Sequence, residues 1–376
     1  MHYLDYAATT PVPRAVAKAM AEALTESFGN PSSQYSLGRQ ARDRLERDRR
    51  VIAGALGCKP EQLFFTSCGT EGDNWAIRAA LHQNRRVGRH IVTTAVEHSA
   101  VLQCLKALER EGYSVTYLKP DGQGRIAASQ VAEALREDTA LVSVMLVNNE
   151  TGARFPVEEI AALLHDRPAL LHTDAVQGFL KVPFTPAELG ADLLTVSGHK
   201  VRAPKGVGAL YIRKGLKLKP LLLGGGQERG LRPGTEPTAQ IAALAAACAA
   251  WLPHREAYAA HMRAVKDRFL ALAEERLPGA VVLSRGDAPH ICALSLPGYP
   301  SEMLVRELGD RGICVSSGSA CHRGKPSHVF AATGRPKREL MGALRVSFSP
   351  DSTAEEAEAL VSALEEIRRA RIPAGR

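Results

Sequence analysis

An α/β architecture, with a mainly parallel sheet covered by helices on both faces, is the fold class this sequence predicts. Three observations predict it. Between Leu63 and Leu210, short apolar runs alternate with helix-length amphipathic stretches, as in strands joined by helical crossovers. Motifs built from Gly, Asn, Asp, His and Lys follow several of these runs, where ligands sit in such sheets. Past Ala239 the alternation ends, and a smaller α+β part is expected.

Taken in order, an extended start leads into helical periodicity over Arg14–Glu26 and Gly38–Leu56. Strands are expected over Leu63–Thr66, Ile91–Thr94, Ser114–Leu118 and Leu141–Val147, and near Leu170, Leu194 and Leu210. Helices are expected over Glu71–His82, Ser99–Glu111, Ser129–Arg136 and Val157–His165. Then come an Ala-rich helix (Gln240–Leu252), a long helix (Pro253–Arg276), strands over Ile291–Leu296 and Leu344–Phe348, and a last helix over Thr353–Arg371. The expected division is a large part, 14–255, and a small part formed by 1–13 with 256–376.

Composition narrows the function classes. With 376 residues, 45% hydrophobic and 23% charged, the chain reads as an ordinary globular protein. No run reaches the roughly 18 apolar residues of a membrane span, and the start lacks a signal-peptide pattern, so the cytoplasm is the expected location. The net charge of +8 comes from scattered Arg. The densest basic stretch, Arg39–Arg50, is interleaved with Asp43, Glu46 and Asp48 and reads as a solvated helix face, not a nucleic-acid stripe. Seven Cys without metal-ligand spacing argue against a disulfide framework or a zinc site. Cys58, Cys104, Cys248 and Cys292 read as core residues, and Cys314 as a buried strand position.

Two motifs carry the most chemistry. His172-Thr173-Asp174-Ala175-Val176-Gln177 ends one apolar run and Ser197-Gly198-His199-Lys200 ends the next. Asp174 alone could be a helix N-cap and Lys200 alone a solvated charge. Facing one cleft, they suit an aldehyde cofactor with a basic ring nitrogen: Lys200 forms the Schiff base and Asp174 keeps the ring protonated as an electron sink. That pairing points to pyridoxal 5'-phosphate.

Further motifs extend the reading. Thr66–Glu71, with Gly69 and Thr70 at a strand-to-helix turn, is a phosphate cradle or a plain capped turn. His98, after a strand, can lie on a ring and shuttle protons, or simply cap. Asn149, in Asn148–Gly152, can bond a cofactor or substrate, or make a turn. Gly224–Thr235 is a long polar loop fit for a ligand, a partner subunit or a connector. Cys321 stands among small and polar residues beside His322, Arg323 and Lys325, cations that favour its thiolate. Arg345 is a charge inside a strand pattern and suits a substrate carboxylate.

The chain resembles the cysteine desulfurases of the NifS/IscS type, within the class V aminotransferase family. The resemblance runs nearly end to end, through Tyr3–Pro11, Gly29–Ser33, Thr66–Glu71, Glu97-His98, Val147–Gly152, Asp174–Gln177, Ser197–Lys200, Gly224–Thr235, Ser316–Cys321 and Pro326–Val329. It implies a fold-type-I pyridoxal-phosphate transferase with a large domain built on a mainly parallel seven-stranded sheet, a homodimer with active sites at the subunit interface, and L-cysteine as substrate. It implies that Gly69, Thr70, Ser197 and His199 bind phosphate, joined by Thr235 from the other subunit. Asn149 and Gln177 would bond the phenolic oxygen, Asp174 the ring nitrogen, and His98 would stack on the ring. Asn149, Arg345 and Asn30 would hold the substrate, and Cys321 would take its sulfur as a persulfide, leaving L-alanine. An iron–sulfur scaffold or a tRNA-thiolation carrier would receive the sulfur; no nucleic acid and no membrane is implied. A selenocysteine lyase or another class V aminotransferase is the alternative. The sequence departs from the family pattern at Tyr35, where many relatives have His, at Val201–Gly206, and in a shorter segment between Cys321 and Pro326.

Overall fold

The computed structural model describes residues 1–318 and 327–371, so Cys321 lies outside the described residues. The chain opens with β1 (His2–Tyr3), α1 (Arg14–Thr25) and α2 (Ser36–Leu56). The alternating stretch follows as β2 (Leu63–Thr66), α3 (Gly69–Gln83), β3 (His90–Thr94), α4 (Ser99–Arg110), β4 (Ser114–Leu118) and α5 (Ala128–Ala134). It continues as β5 (Thr139–Ser143), α6 (Val157–Leu163), β6 (Leu170–Asp174), β7 (Leu193–Ser197) and β8 (Gly208–Ile212). Next come α7 (Thr238–Trp251), α8 (Arg255–Arg276), β9 (Val281–Ser284), β10 (Ile291–Ser295), α9 (Ser301–Asp310) and β11 (Ile313–Cys314). The chain closes with α10 (His328–Ala332), α11 (Lys337–Leu340), β12 (Ala343–Ser347) and α12 (Ala354–Ala370). None of the described helices is long and apolar enough to cross a membrane.

Seven strands form the main sheet in the order β2-β8-β7-β6-β5-β3-β4, with β8 antiparallel to both its neighbours. Its layering follows from side-chain alternation. Phe64, Ile91, Leu141, Leu170, Leu193 and Leu210 belong to one apolar core, and the next residues Phe65, Val92, Val142, Leu171, Leu194 and Tyr211 belong to another. Successive residues of a strand point to opposite faces, so these are the two sides of one sheet, both covered. A three-stranded antiparallel sheet, β12-β10-β9, and the parallel pair β1-β11 complete the structure. His2 pairs with Ile313 and Tyr3 with Cys314, which brings the first residues beside the last third of the chain.

Several local expectations need correction. The strand expected over Leu141–Val147 ladders only to Ser143; beyond it Val144 and Leu146 still donate to His172 and Asp174 carbonyls as the chain runs toward the site. The helices begun at Ala128 and Val157 stop at Ala134 and Leu163, short of Arg136 and His165. Cys58 and Cys314 are only half-buried, the first because it follows the left-handed Gly57 that ends α2, the second because its ladder has just two short strands. Arg49 is not on a solvated face. It is 4% exposed, its guanidinium forks onto Glu228 at 2.6 and 2.8 Å, and it lies 4.5 Å from the Phe65 ring. Glu228 also accepts from Phe65 N–H at 2.9 Å, so this pair fastens the Gly224–Thr235 loop to α2 and β2. Removing one partner leaves a buried charge unpaired. Glu228→Gln is expected to lower stability by about 3–5 kcal/mol in denaturant unfolding, where a solvated pair would cost under about 1 kcal/mol.

Candidate active site

The carboxyl ends of β2, β3, β5, β6 and β7 open onto one cavity of about 350 Å³. Ala7 and Ala8 from the chain start and Ser316, Gly318 and Arg345 from its last third close the other side. Of the residues singled out in the sequence, Gly69, Thr70, His98, Asn149, Asp174, Gln177, Ser197, His199, Lys200 and Arg345 all line it. Asn30 and Thr235 do not: both are exposed. Pro31 and Gly226, in their respective loops, line a separate depression beside Arg49 and Glu228. Cys321 lies outside the described residues, but Gly318, three residues before it in the chain, is a cavity residue.

Each group has a definable state. Lys200 Nζ donates to the Ala7 and Ala8 carbonyls at 2.7 Å each, and burial, aided by Arg345, pulls its pKa down to about 8. Asp174 accepts from Val176 N–H at 2.8 Å; burial pushes its carboxyl up, against the pull of His98 and Lys200, and a cation set against it would bring it back down. His98 caps α4 through Nδ1, which accepts from Ala100 N–H at 3.2 Å, and burial lowers its pKa, so it is a neutral ring with its proton on Nε2. His98 therefore both caps α4 and lines the cavity. His199 is pulled down to about 4 by burial and Lys200, with Nδ1 3.2 Å from Thr9 Oγ1. Gln177 donates through Nε2 to Ala7 O at 2.9 Å.

Arg345 is 5% exposed, donates to Asn149 O at 3.0 Å and pairs with Asp5 at 2.6 Å. Asp5 was missed in the sequence: the extended start signals no partner, and Arg345 lies 340 residues away. Asp73, Cys68 and Met145 also line the cavity without having been singled out. Asp73, one helical turn past Gly69, lies on the same face of α3, a periodicity that could have found it. The Val201–Gly206 departure is accommodated by a left-handed Arg202 (φ 67°), whose N–H donates to Thr10 Oγ1 at 2.8 Å and whose guanidinium pairs with Asp351.

Ser197 Oγ and Asn149 Oδ1 are buried and have no hydrogen-bond partner among the described residues. The first-turn N–H groups of α3 face no preceding turn, and a Cβ at Gly69 would stand 3.0 Å from Val176. Such groups are costly to bury empty-handed. They are available to hold an anionic, polar ring ligand, with the α3 N-terminus on its anionic group.

Comparison with known proteins decides the family. The profile described as Aminotransferase class-V matches residues 2–360. This chain belongs to that family. Among class V relatives, a protein named cysteine desulfurase from Trichormus azollae is 42% identical over 371 residues, covering 97% of this chain and 92% of the relative. A solved NifS-like protein superposes with a TM-score of 0.92 at 34% identity, covering 98% of this chain and 99% of its own. The structure described as SspA in complex with cysteine gives 0.83 at 33% identity, covering 94% and 100%. The fold is thus the mainly parallel α/β architecture of NifS-like class V enzymes, as expected from the sequence.

For this class V enzyme the depressed amine has a measurable consequence. Only neutral Lys200 is a nucleophile, so covalent capture of added pyridoxal phosphate by cofactor-free protein is expected to accelerate about tenfold per pH unit below 8 and level off above it. Stopped-flow absorbance reads this directly. A rate still climbing past pH 9.5 would mean an ordinary lysine.

Proposed function

We propose that this class V enzyme is a pyridoxal-phosphate-dependent cysteine desulfurase that moves the sulfur of L-cysteine onto Cys321. One observation carries the reading: Lys200, Asp174, His98 and Arg345 share a cavity with Gly318, three residues upstream of Cys321. Three residues of chain span at most about 11 Å. An aminotransferase would use the first four groups equally well and have no task for that thiol. The relatives' names support the same activity.

The residues fit the cofactor. Gly69, Thr70, Ser197 and His199 would hold its phosphate, Asn149 and Gln177 its phenolic oxygen, Asp174 its ring nitrogen, and His98 would cover the ring. Thr235, and with it Asn30, would reach the site of a second copy in a homodimer. Residues 14–255 would form the cofactor-binding part, and 1–13 with 256–376 the smaller part. When bound, pyridoxal phosphate supplies an aldehyde for the substrate amine and a protonated ring that accepts the electrons of its Cα–H bond.

The chain's own groups do the rest. Arg345, oriented by Asp5 and Asn149, takes the substrate carboxylate and so fixes which bond at Cα faces Lys200. Lys200, whose pKa is pulled down to about 8 so that both its neutral and charged forms are populated there, would hold and return the Cα proton. Asp174 would keep a proton on the cofactor's ring nitrogen. The Cys321 thiolate attacks the substrate sulfur: an S–S bond forms, the Cβ–S bond breaks with its electron pair left on carbon, and a proton there completes L-alanine. The products are one alanine and one Cys321 persulfide per cysteine, the sulfur then passing to an acceptor such as an iron–sulfur scaffold or tRNA-thiolation carrier. Quantifying alanine, and the mass of the Cys321 peptide, after mixing purified holoenzyme with one equivalent of L-cysteine tests this. Pyruvate or a keto acid without persulfide would sink it.

A further inference from the structure

We propose that Glu150 is a positioning residue for sulfur transfer, a buried anchor that fastens together the two chain positions flanking the segment that bears Cys321. The inference rests on the cysteine desulfurase reading and adds to it a residue that reading does not use. Glu150 is fully buried. Ser327 Oγ donates to its Oε2. On the other side Gly318 approaches so closely that a Cβ there would run into the same Oε2 and stand 3.2 Å from Ser327 Cβ. Gly318 and Ser327, nine positions apart in sequence, therefore meet at one carboxylate.

Each partner is built for the contact. Gly318 has φ +93°, a conformation that side chains other than glycine rarely adopt. Ser327 also caps α10, accepting from Val329 N–H at 3.1 Å, so its hydroxyl orients a helix with its lone pair and Glu150 with its proton. Glu150 itself rides on a turn organised by Asn148, whose Oδ1 accepts from the N–H groups of Glu150 and Thr151 at 2.9 Å each. Asn148 in turn donates to Val96 O at 2.9 Å and so ties the turn to the chain leaving β3.

The anchor belongs to a closed ring of contacts that includes the substrate-binding Arg. Arg345 donates to Asn149 O, next to Glu150 in the turn. Arg345 N–H donates to Ser316 O at 2.7 Å, and Ser316 Oγ accepts from Gly318 N–H at 3.2 Å. The group assigned to the substrate carboxylate and the root of the thiol-bearing segment thus share one frame. A displacement of about 1 Å between reacting groups costs on the order of 100-fold in rate, which is what such a frame prevents.

The test uses holoenzyme and the variants Glu150→Gln and Ser327→Ala. Persulfide on Cys321 is followed by rapid quench and peptide mass after one equivalent of L-cysteine, beside the cofactor's absorbance and its change on adding cysteine. The expected result is persulfide formation slowed at least about tenfold in both variants, with cofactor absorbance and cysteine binding as in the parent. Alkylation of Cys321 by iodoacetamide without substrate should also change rate. Where Glu150→Gln does not accumulate, Ser327→Ala decides alone, because it keeps the carboxylate and removes only the donor. Parental persulfide rates in the variants overturn the proposal, and so do losses that track loss of cofactor absorbance, since those mark general unfolding. A parent enzyme that makes alanine but never a Cys321 persulfide defeats the underlying reading instead.

Discussion

Cys321→Ala is expected to abolish sulfur release from L-cysteine, by on the order of 10³-fold or more, while the bound cofactor keeps its yellow absorbance. The two halves of this result come from different residues. None of the groups assigned to the cofactor is Cys321: besides Thr235 of a second copy they are Gly69, Thr70, His98, Asn149, Asp174, Gln177, Ser197, His199 and Lys200, and these nine line the cavity. Binding and colour should therefore survive. Release of sulfur requires an acceptor for it, and an alanine methyl cannot form an S–S bond. Sulfide measured after adding a reductant, against alanine formed, reads both halves. Undiminished sulfide from this variant would remove the persulfide route.

Lys200→Ala is expected to lose covalent attachment of the cofactor altogether and to lower turnover by on the order of 10⁴-fold. Borohydride reduction followed by peptide mapping reads the attachment. The control lies within the protein. Lys181 is a second buried amine, pulled down to about 7 by burial, further than Lys200. Nucleophilicity alone would favour it. Geometry does not: Lys181 Nζ sits 3.4 Å from Gln177 Oε1, behind the residue that faces the cavity, and is not among the lining residues. A reduced adduct persisting in Lys200→Ala and mapping to Lys181 would reverse this assignment.

Much of this site was readable because its residues follow strands. Gly69, His98, Asn149, Asp174 and Lys200 each come within six residues of the end of a buried strand, and parallel strands bring those ends to one edge. The direction of β8 was not read from the sequence, which placed the strand near Leu210 in the alternating series, although the short path from Ser197 to Gly208 leaves no room for a parallel crossover. What escaped was long-range pairing. Arg49 looked like one more charge on a mixed helix face, because its partner Glu228 lies 179 residues on and reaches it through a strained loop with left-handed Glu228 and Arg229. Asp5 and Glu150 carried no local signal either, since Arg345 and Ser327 meet them only after folding. Asn30 and Thr235 are exposed and do not line this chain's cavity, a placement that no motif match could give.

The linear order of residues determined which chemistry is possible here, because strand ends, helix starts and an amine–carboxylate pair on adjacent strands depend on local periodicity. Tertiary structure alone decided which buried amine faces the cavity, which acids hold Arg345 and join Gly318 to Ser327, and which charges are buried. Those choices depend on distances between residues hundreds of positions apart, and no local pattern encodes such a distance.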